Sequence, residues 1–320
     1  MRNFIPLFAL LLSSAAAAQD GALLVTSKQT QSLVIVDGRS LAVTARIPVG
    51  ENPHEVVVGP DGKTAYVSNF EEGVGHELAV VDLASATARA SLEVSPLVGP
   101  HGMAFQGGKL WFTADRSQAL AALDPATGKL LEIVGTGQER THMLWIAADG
   151  ARMLATNAGS GTASFYEKVE TGGWKHRVLP TGPAAEGFAV SPDGKQAWVG
   201  AADGTIAVID LAAGSVAASF QSGTKGDNRL AFTTDGKLLL VTQRADPDLV
   251  AIDVASRRIV KKIPIQEHGA SGILIEPNGN RVFVACPRDH YVAVVDLHKL
   301  EMIGKVDVGR EPDGLAWWVR

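Results

Sequence analysis

Residues 53–82 read PHEVVVGPDGKTAYVSNFEEGVGHELAVVD, and this stretch contains the pattern that decides the fold. A short apolar run is followed by the turn PDGK at residues 60–63, a second apolar run, a polar loop and a third run that ends in Asp82. Asp-Gly pairs tolerate the positive φ that tight hairpins demand, so the turn joins antiparallel strands. The runs are too short for helices and rich in Val, which predicts β structure.

The same pattern returns along the whole chain. Apolar runs ending in Asp recur at Asp37, Asp82, Asp124, Asp210, Asp253 and Asp296. Their spacings are 45, 42, 86, 43 and 43 residues, and the spacing of 86 spans two periods, with the skipped copy at residues 162–166 lacking its Asp. Each period contains four apolar runs separated by turns and loops. Four short strands repeated about every 43 residues are typical of a β-propeller.

Counting the repeats predicts seven blades in one all-β domain over residues 19–320. Six full units cover residues 50–94, 95–136, 137–181, 182–222, 223–265 and 266–308. Residues 21–49 supply three further strands without a first one, and residues 309–320 supply a first strand with nothing after it. We therefore expect the C-terminal strand to pair with the N-terminal strands and close the ring as a seventh four-stranded blade.

The repeat unit resembles that of a known family. Pro53-His54 before an apolar run, GPDGK at residues 59–63, AYVSN at residues 65–69 and the run ending in Asp82 are similar to the consensus of the YVTN-repeat, YncE-like β-propellers, which are exported bacterial proteins. The resemblance covers essentially residues 19–320 and implies a seven-bladed propeller. It does not imply one activity, because relatives of this fold include lactonases, haem d1 and amine dehydrogenase subunits, surface-layer proteins and binding modules.

The N-terminus and the composition indicate an exported protein. Residues 1–18 have a basic start, an apolar stretch and an Ala-rich end, which predicts a signal peptide cleaved near Ala18 and a periplasmic or secreted location. No later segment is apolar enough to span a membrane. A net charge of −5 argues against non-specific nucleic-acid binding. The single Cys286 excludes an internal disulfide and a C-x-x-C-H haem site, and no nucleotide-binding motif is present.

The polar residues that lead into the innermost strands are the candidate site. One lies in each blade, and together they would ring the mouth of the central channel. Those included in the predicted ligand-binding set are His54, His101, His142, Glu186, Asn228 and Asp313. Loops between the second and third strands add three arginines on the same face: Arg116, Arg244 and Arg288.

Two kinds of function fit this mouth. In the first, the protein is a recognition module for a small molecule, a metal ion or a periplasmic or cell-surface protein. A transition metal, copper or zinc, would be held by His54, His101, His142 and Glu186, since neutral imidazoles and a carboxylate suit such ions. The same histidines would otherwise be structural parts of the repeat.

In the second, the mouth is the active site of a metal-assisted or lactonase-like hydrolase. A lactonase would use His101 or His142 as base and Glu186 or Asp313 as acid. Arg116, Arg244 or Arg288 would hold the anion near the carbonyl. The sequence contains no nucleophile motif that names a catalytic residue. The recognition module is therefore the preferred hypothesis.

Overall fold

The computed structural model describes residues 21–320, so the predicted signal peptide lies outside the described residues. The strands of the first half are β1 (Gly21–Ser27), β2 (Ser32–Asp37), β3 (Val43–Pro48), β4 (Pro53–Val58), β5 (Thr64–Asn69), β6 (Glu77–Asp82), β7 (Thr87–Glu93), β8 (Pro100–Gln106), β9 (Lys109–Ala114), β10 (Ala119–Leu123), β11 (Leu130–Gly135), β12 (Thr141–Ile146), β13 (Arg152–Asn157), β14 (Thr162–Lys168) and β15 (Trp174–Pro180).

The strands of the second half are β16 (Phe188–Val190), β17 (Gln196–Gly200), β18 (Thr205–Asp210), β19 (Ser215–Gln221), β20 (Asp227–Phe232), β21 (Leu238–Gln243), β22 (Asp248–Asp253), β23 (Arg258–Pro264), β24 (Ile273–Ile275), β25 (Arg281–Cys286), β26 (Tyr291–Asp296), β27 (Glu301–Val306) and β28 (Pro312–Val319). A short 3-10 helix, Glu71–Gly73, lies in the loop after β5. The described part of the chain holds no helix with the length and apolarity to cross a membrane.

Residues 21–320 form seven four-stranded antiparallel sheets in a ring, which confirms the predicted seven-bladed propeller. We number the blades from the first complete one: blade 1 is β4–β7, blade 2 is β8–β11, blade 3 is β12–β15, blade 4 is β16–β19, blade 5 is β20–β23 and blade 6 is β24–β27. Blade 7 has the order β28-β1-β2-β3, so the C-terminal strand completes the N-terminal sheet as the sequence predicts.

Two adjacent tryptophans on β28 join blade 7 to both of its neighbours. Trp317 stacks on Phe283 of blade 6, with ring centroids 5.9 Å apart. Trp318 Nε1 donates a hydrogen bond to the carbonyl oxygen of Gly62 in blade 1, at 2.8 Å. Consecutive residues of a strand face opposite sides of its sheet, so the pair Trp317-Trp318 contacts one neighbouring blade on each face.

The hydrophobic core lies between the blades. Within residues 21–320 there are seven apolar clusters, and each combines residues of two adjacent blades. The second and third strands are almost fully buried, because neighbouring blades cover both of their faces, whereas the outermost strands alternate between packed and exposed residues. The short Val- and Ile-rich runs thus form strands whose burial requires the ring, and the ring in turn positions the channel mouth.

Candidate functional site at the channel mouth

A β-bulge shapes the start of the innermost strand in five blades. In blade 1, the two residues His54 and Glu55 lie opposite the single residue Ser68 of β5. The same two-against-one register occurs at the start of β8, β12, β20 and β28. A bulge interrupts the strict alternation of a strand and re-aims its side chains, so two successive residues per blade can contribute to the channel.

Threonine hydroxyls on the second strands fix these bulges and link adjacent blades. Thr113 Oγ1 accepts the Gly102 N–H at 2.8 Å and donates to the carbonyl oxygen of His142 in the next blade at 2.7 Å. Equivalent contacts are made in blades 7, 3 and 5 by Thr26, Thr156 and Thr242. Because each hydroxyl bonds the backbone of two blades, it fixes the spacing between neighbouring positions at the mouth.

The mouth is a cavity of about 300 Å³, which we call the cup. Its walls come from the starts of the innermost strands and from the loops around them. The lining residues are Lys28, His54, Phe70, His101, Arg140, His142, Asn228, Arg229, Arg244, Gly269, Ala270, Ser271, Pro287, Arg288, Glu311 and Asp313.

Three imidazoles stand side by side on one wall of the cup. His54 Nδ1 lies 3.0 Å from His101 Nε2 and 3.2 Å from Asp313 Oδ2. The rings of His101 and His142 are in contact and tilted against each other, with centroids 3.8 Å apart and an interplanar angle of 38°. Phe70 packs against His54 and His101, at centroid distances of 4.8 and 5.5 Å. The predicted histidine cluster therefore exists as a contiguous, largely buried row.

The row of imidazoles is uncharged at neutral pH. Burial lowers the pKa of His54 and that of His142 to about 3, against the opposing attraction of Asp313 and Glu186 respectively. Burial also lowers the pKa of His101 well below its usual value. Each ring can consequently offer one N–H donor and one acceptor nitrogen, without adding charge to the cup.

A group of buried carboxylates and exposed arginines continues the row beyond His142. The two ring nitrogens of His142 each lie 3.8 Å from a carboxylate oxygen, of Asp115 on one side and Glu186 on the other. Glu186 Oε2 accepts from Arg244 at 2.5 Å, and Glu186 Oε1 lies 3.5 Å from Arg140. Although burial opposes ionisation of Glu186, His142, Arg244 and the other nearby arginines hold its pKa below the usual range.

An ion pair crosses the channel from blade 5 to blade 1. Arg229 donates to Glu55 Oε1 at 2.8 Å and to Asn228 Oδ1 at 2.9 Å. Asn228 in turn donates to the carbonyl oxygen of Ala270 at 3.1 Å. The side chains of Arg229 and Glu55 are 10% and 14% exposed, so the pair is a buried bridge at the floor of the cup.

Most of the residues predicted from the sequence meet at the cup. Seven line it: His54, His101, His142, Asn228, Asp313, Arg244 and Arg288. Glu186 contacts the cup through Arg244. Arg116 lies outside the lining, with its Nε 3.8 Å from Asp115 and its side chain packed beside Gly73.

Six further residues at or beside the cup lie outside the predicted set. Lys28, Phe70, Arg140 and Arg229 line the cup, while Glu55 and Asp115 pair with its arginines. A usable indication exists for Glu55 and Arg229, which directly follow the predicted residues His54 and Asn228. At that next position blades 2, 4, 6 and 7 have glycine, namely Gly102, Gly187, Gly272 and Gly314.

The copper or zinc site at His54, His101, His142 and Glu186 stays a prediction. Within residues 21–320, no group of three or more His, Cys, Asp or Glu side chains has an arrangement suited to a metal ion. His54 and His101 point nitrogens at each other, and the rings of His101 and His142 lie tilted against each other with centroids 3.8 Å apart. Cys286 is not part of the cup lining and lies in the core between blades 5 and 6, where burial raises the pKa of its thiol to about 12.

A larger cavity, of about 1020 Å³, lies at the seam between blades 6 and 7. It is lined by turns between first and second and between third and fourth strands, on the face opposite the cup. Its charged groups pair with each other, as in Arg281 with Glu276 at 2.6 Å and Arg320 with Asp37 at 3.2 Å. The cup gathers more buried ionisable groups, so it is the better candidate for a functional site.

Comparisons with known proteins agree with the fold. The family described as "YNCE-like beta-propeller" matches residues 103–275, more than half of the chain. YncE of Salmonella typhimurium, itself described as uncharacterized, is 22% identical over 220 residues, covering 65% of this chain and 62% of the relative's length.

Two solved structures are similar over nearly their whole length. The periplasmic gluconolactonase PpgL of Pseudomonas aeruginosa has a TM-score of 0.76 at 20% identity, covering 94% of this chain and 99% of that one. A functionally unknown protein of Desulfotomaculum acetoxidans has a TM-score of 0.77 at 11% identity, covering 92% and 98%. At these identities the structural likeness concerns the fold. With the matched family, it leads to one conclusion: the chain belongs to the YncE-like β-propellers.

Proposed function

We propose that the protein is a binding module for a small anionic molecule, which it holds in the cup. The observation that carries the proposal is the concentration of cations there. Five cationic side chains line the cup: Lys28, Arg140, Arg229, Arg244 and Arg288. The chain as a whole has a net charge of −5, so this is a local feature that opposes the overall sign. Two carboxylates, those of Asp313 and Glu311, also line the cup, so cations outnumber anions in the lining, and a concave site with an excess of one sign of charge attracts ligands of the other sign.

The uncharged polar groups of the cup suit the rest of such a ligand. The neutral imidazoles offer hydrogen bonds without competing for the anion, and Phe70 supplies an apolar surface beside them. A volume of about 300 Å³ is at the small end of ligand pockets, which span roughly 300–1,000 Å³. A hydroxylated carboxylic acid of monosaccharide size satisfies these conditions, and the activity named for the Pseudomonas neighbour makes gluconate the first probe.

The proposal includes export. Removal of residues 1–18 would place the mature propeller in the periplasm or outside the cell, where small molecules that enter from the medium are available to it. Mass spectrometry of the protein recovered from the cell envelope fraction would reveal a mature N-terminus near Gln19.

Gluconate is expected to bind in calorimetric titrations, whereas glucose, its uncharged counterpart, is not. Arg288→Ala should weaken gluconate about threefold to tenfold, because the exposed guanidinium then no longer attracts the carboxylate. Arg116→Ala is the matched control, since it removes an arginine from the same face but outside the cup lining. Equal binding of glucose and gluconate, or failure of gluconate, glucose 6-phosphate and inorganic phosphate alike at 10 mM, would contradict the proposal.

A lactone-hydrolysing enzyme is the second candidate, favoured by the surroundings of His142. A neutral imidazole between the carboxylates of Asp115 and Glu186, with Arg244 nearby, can act as a base for water while the arginine stabilises the developing oxyanion. The cup would then hold the anionic product. Glucono-1,5-lactone should be hydrolysed faster than in buffer at pH 6.5, and His142→Gln should lower the rate about 100-fold or more. Gluconate binding without any acceleration of lactone hydrolysis would contradict the lactonase and support the binding module.

A further inference from the structure

Among the cations of the cup, Arg140 and Arg244 are the two that share a carboxylate partner. Arg244 is 58% exposed and Arg140 is 41% exposed, whereas their common partner Glu186 is only 4% exposed. Arg229 is held by Glu55 and Asn228, and its side chain is buried at the floor. Two solvent-facing guanidinium groups are therefore tied to one buried carboxylate.

The guanidinium group of Arg140 makes only long contacts with its two carboxylate neighbours. Its Nη2 lies 3.5 Å from Glu186 Oε1 and its Nε lies 3.7 Å from Asp115 Oδ2. Within residues 21–320 the Arg140 side chain forms ion pairs at these distances but no hydrogen bond, although a guanidinium carries five N–H donors. Both oxygens of Asp115 are likewise buried and have no hydrogen-bond partner in this part of the chain. The donors of Arg140 are thus available to a better-placed acceptor.

The geometry of Glu186 indicates what that acceptor is. Its two carboxylate oxygens face different arginines, Oε2 towards Arg244 at 2.5 Å and Oε1 towards Arg140 at 3.5 Å. A planar group with two oxygens can bridge two guanidinium groups in this way, and such charge-assisted contacts are strong. A ligand carboxylate entering from solvent would meet the same two arginines from their exposed side.

We propose that Arg140 and Arg244 form the carboxylate subsite of the cup, and that Glu186 occupies it in the free protein as an internal competitor. The inference rests on the proposed function, because it assigns the anionic group of that ligand to two particular residues. On binding, the ligand carboxylate takes over donors of Arg140 and Arg244, and Glu186 keeps its contact with His142. No covalent bond forms or breaks.

If Glu186 competes with the ligand for the two arginines, removing its charge should tighten ligand binding. Glu186→Gln removes the negative charge that occupies the arginines, so gluconate is expected to bind about tenfold more tightly to the variant. Arg244→Ala is expected to weaken gluconate about tenfold. In the double variant the gain from Glu186→Gln should shrink to less than threefold, because the competition acts through Arg244.

Glu311→Gln is the matched control. Glu311 also lines the cup, but its carboxylate accepts from Gln29 at 2.7 Å, and within residues 21–320 it forms no ion pair with an arginine. The substitution makes the same change of charge at the same mouth, so it measures the general electrostatic effect, which is expected to be less than twofold. Circular dichroism and thermal midpoints check that each variant is folded. Glu186→Asp, which draws the carboxylate back by one methylene, should tighten gluconate by a smaller factor if Glu186→Gln does not fold.

The results separate this inference from the proposed function. Gluconate binding to the parent protein, with Glu186→Gln or a folded Glu186→Asp equal to the parent or weaker, would overturn the internal competitor and leave the anion-binding module. The same tightening by Glu311→Gln would also overturn it, because the effect would then be one of net charge. Binding by Glu186→Gln alone would support it. Failure of every variant to bind gluconate would overturn the carboxylate subsite, and failure of glucose 6-phosphate and inorganic phosphate as well would also remove the anion-binding module.

Discussion

Deletion of residues 312–320 is expected to abolish the cooperative unfolding transition of the protein. These residues include the whole of β28, which supplies the innermost strand of blade 7 and pairs with β1 from Gly21 to Ser27. Without them the ring ends in a three-stranded blade, and both apolar interfaces of blade 7 lose a tryptophan. Scanning calorimetry or far-UV circular dichroism on heating would show a broad, low-enthalpy change in place of one sharp transition.

The expected size follows from the two side chains that join blade 7 to its neighbours. Replacing a packed tryptophan by alanine typically costs about 3–5 kcal/mol, while the stability of a whole domain is only about 5–15 kcal/mol. Trp317 and Trp318 contact different blades, so the deletion weakens two separate interfaces. The deletion removes both tryptophans together with the pairing of β28 and β1. The combined loss of stability is comparable to the stability of the whole domain.

Single substitutions provide the controls for the deletion. Trp317→Ala and Trp318→Ala should each keep a cooperative transition with a lower midpoint in urea. Arg320→Ala should change stability by less than about 1 kcal/mol, because its ion pair with Asp37 at 3.2 Å is partly exposed. A deletion variant that unfolds as sharply as the parent would show that ring closure is dispensable, and would contradict the expectation.

The fold was predictable because the turns and the regular spacing of the apolar runs indicate the same architecture. A turn such as residues 60–63 specifies a hairpin, and the spacing of the Asp-ended runs specifies how many hairpins there are. The three strands at the N-terminal end and the single strand at the C-terminal end then form one further four-stranded blade by the pairing of β28 with β1. Repeat proteins expose their architecture in this way because each unit must bury its faces against an equivalent neighbour.

The candidate site was predictable only where it follows the repeat. The histidines at 54, 101 and 142 occupy equivalent positions, so their convergence follows from the ring. The bulge that brings Glu55 and Arg229 into the channel is a departure from strand alternation, and a two-residue period misplaces both. Comparison of the repeats indicates both residues, because four other blades have glycine at the position where blades 1 and 5 have the charged residues Glu55 and Arg229.

Loop residues were the least predictable part. Arg116 and Arg140 both approach Asp115, at 3.8 and 3.7 Å, yet Arg140 lines the cup and Arg116 does not. The difference depends on loop conformation, such as the positive φ of 56° at Arg140, and on the packing of Arg116 beside Gly73. Whether a loop side chain lines the cup is thus determined by tertiary contacts, and the repeat in the sequence does not indicate them.

Arg229→Met is expected to destabilise the protein by about 3–5 kcal/mol, because it leaves the carboxylate of Glu55 buried without its partner. The bridge joins blade 5 to blade 1 across the channel, and both side chains are mostly buried, so solvent screens the loss only weakly. Urea unfolding at pH 8 would measure the change. Lys262→Met, an exposed cation on the outermost strand of blade 5, is the control and should stay within about 0.5 kcal/mol.

The stability lost in Arg229→Met should depend on pH in a definite direction. Burial already raises the pKa of Glu55, against the attraction of Arg229, and removing that arginine raises it further. A carboxyl whose pKa in the folded state exceeds its unfolded value favours folding only while protonated, so the deficit grows as pH rises through the folded pKa. The loss should therefore be smaller at pH 5 than at pH 8.

A double substitution tests whether the charge itself causes the loss. Glu55→Gln combined with Arg229→Met removes both charges and keeps similar volumes, so most of the stability should return and its dependence on pH should disappear. Equal deficits at pH 5 and pH 8, or a double variant no more stable than Arg229→Met, would assign the loss to packing of the arginine instead. Recovery would mean that the ion pair itself adds little net stability, because two uncharged side chains of similar volume would then hold the same blades together as well.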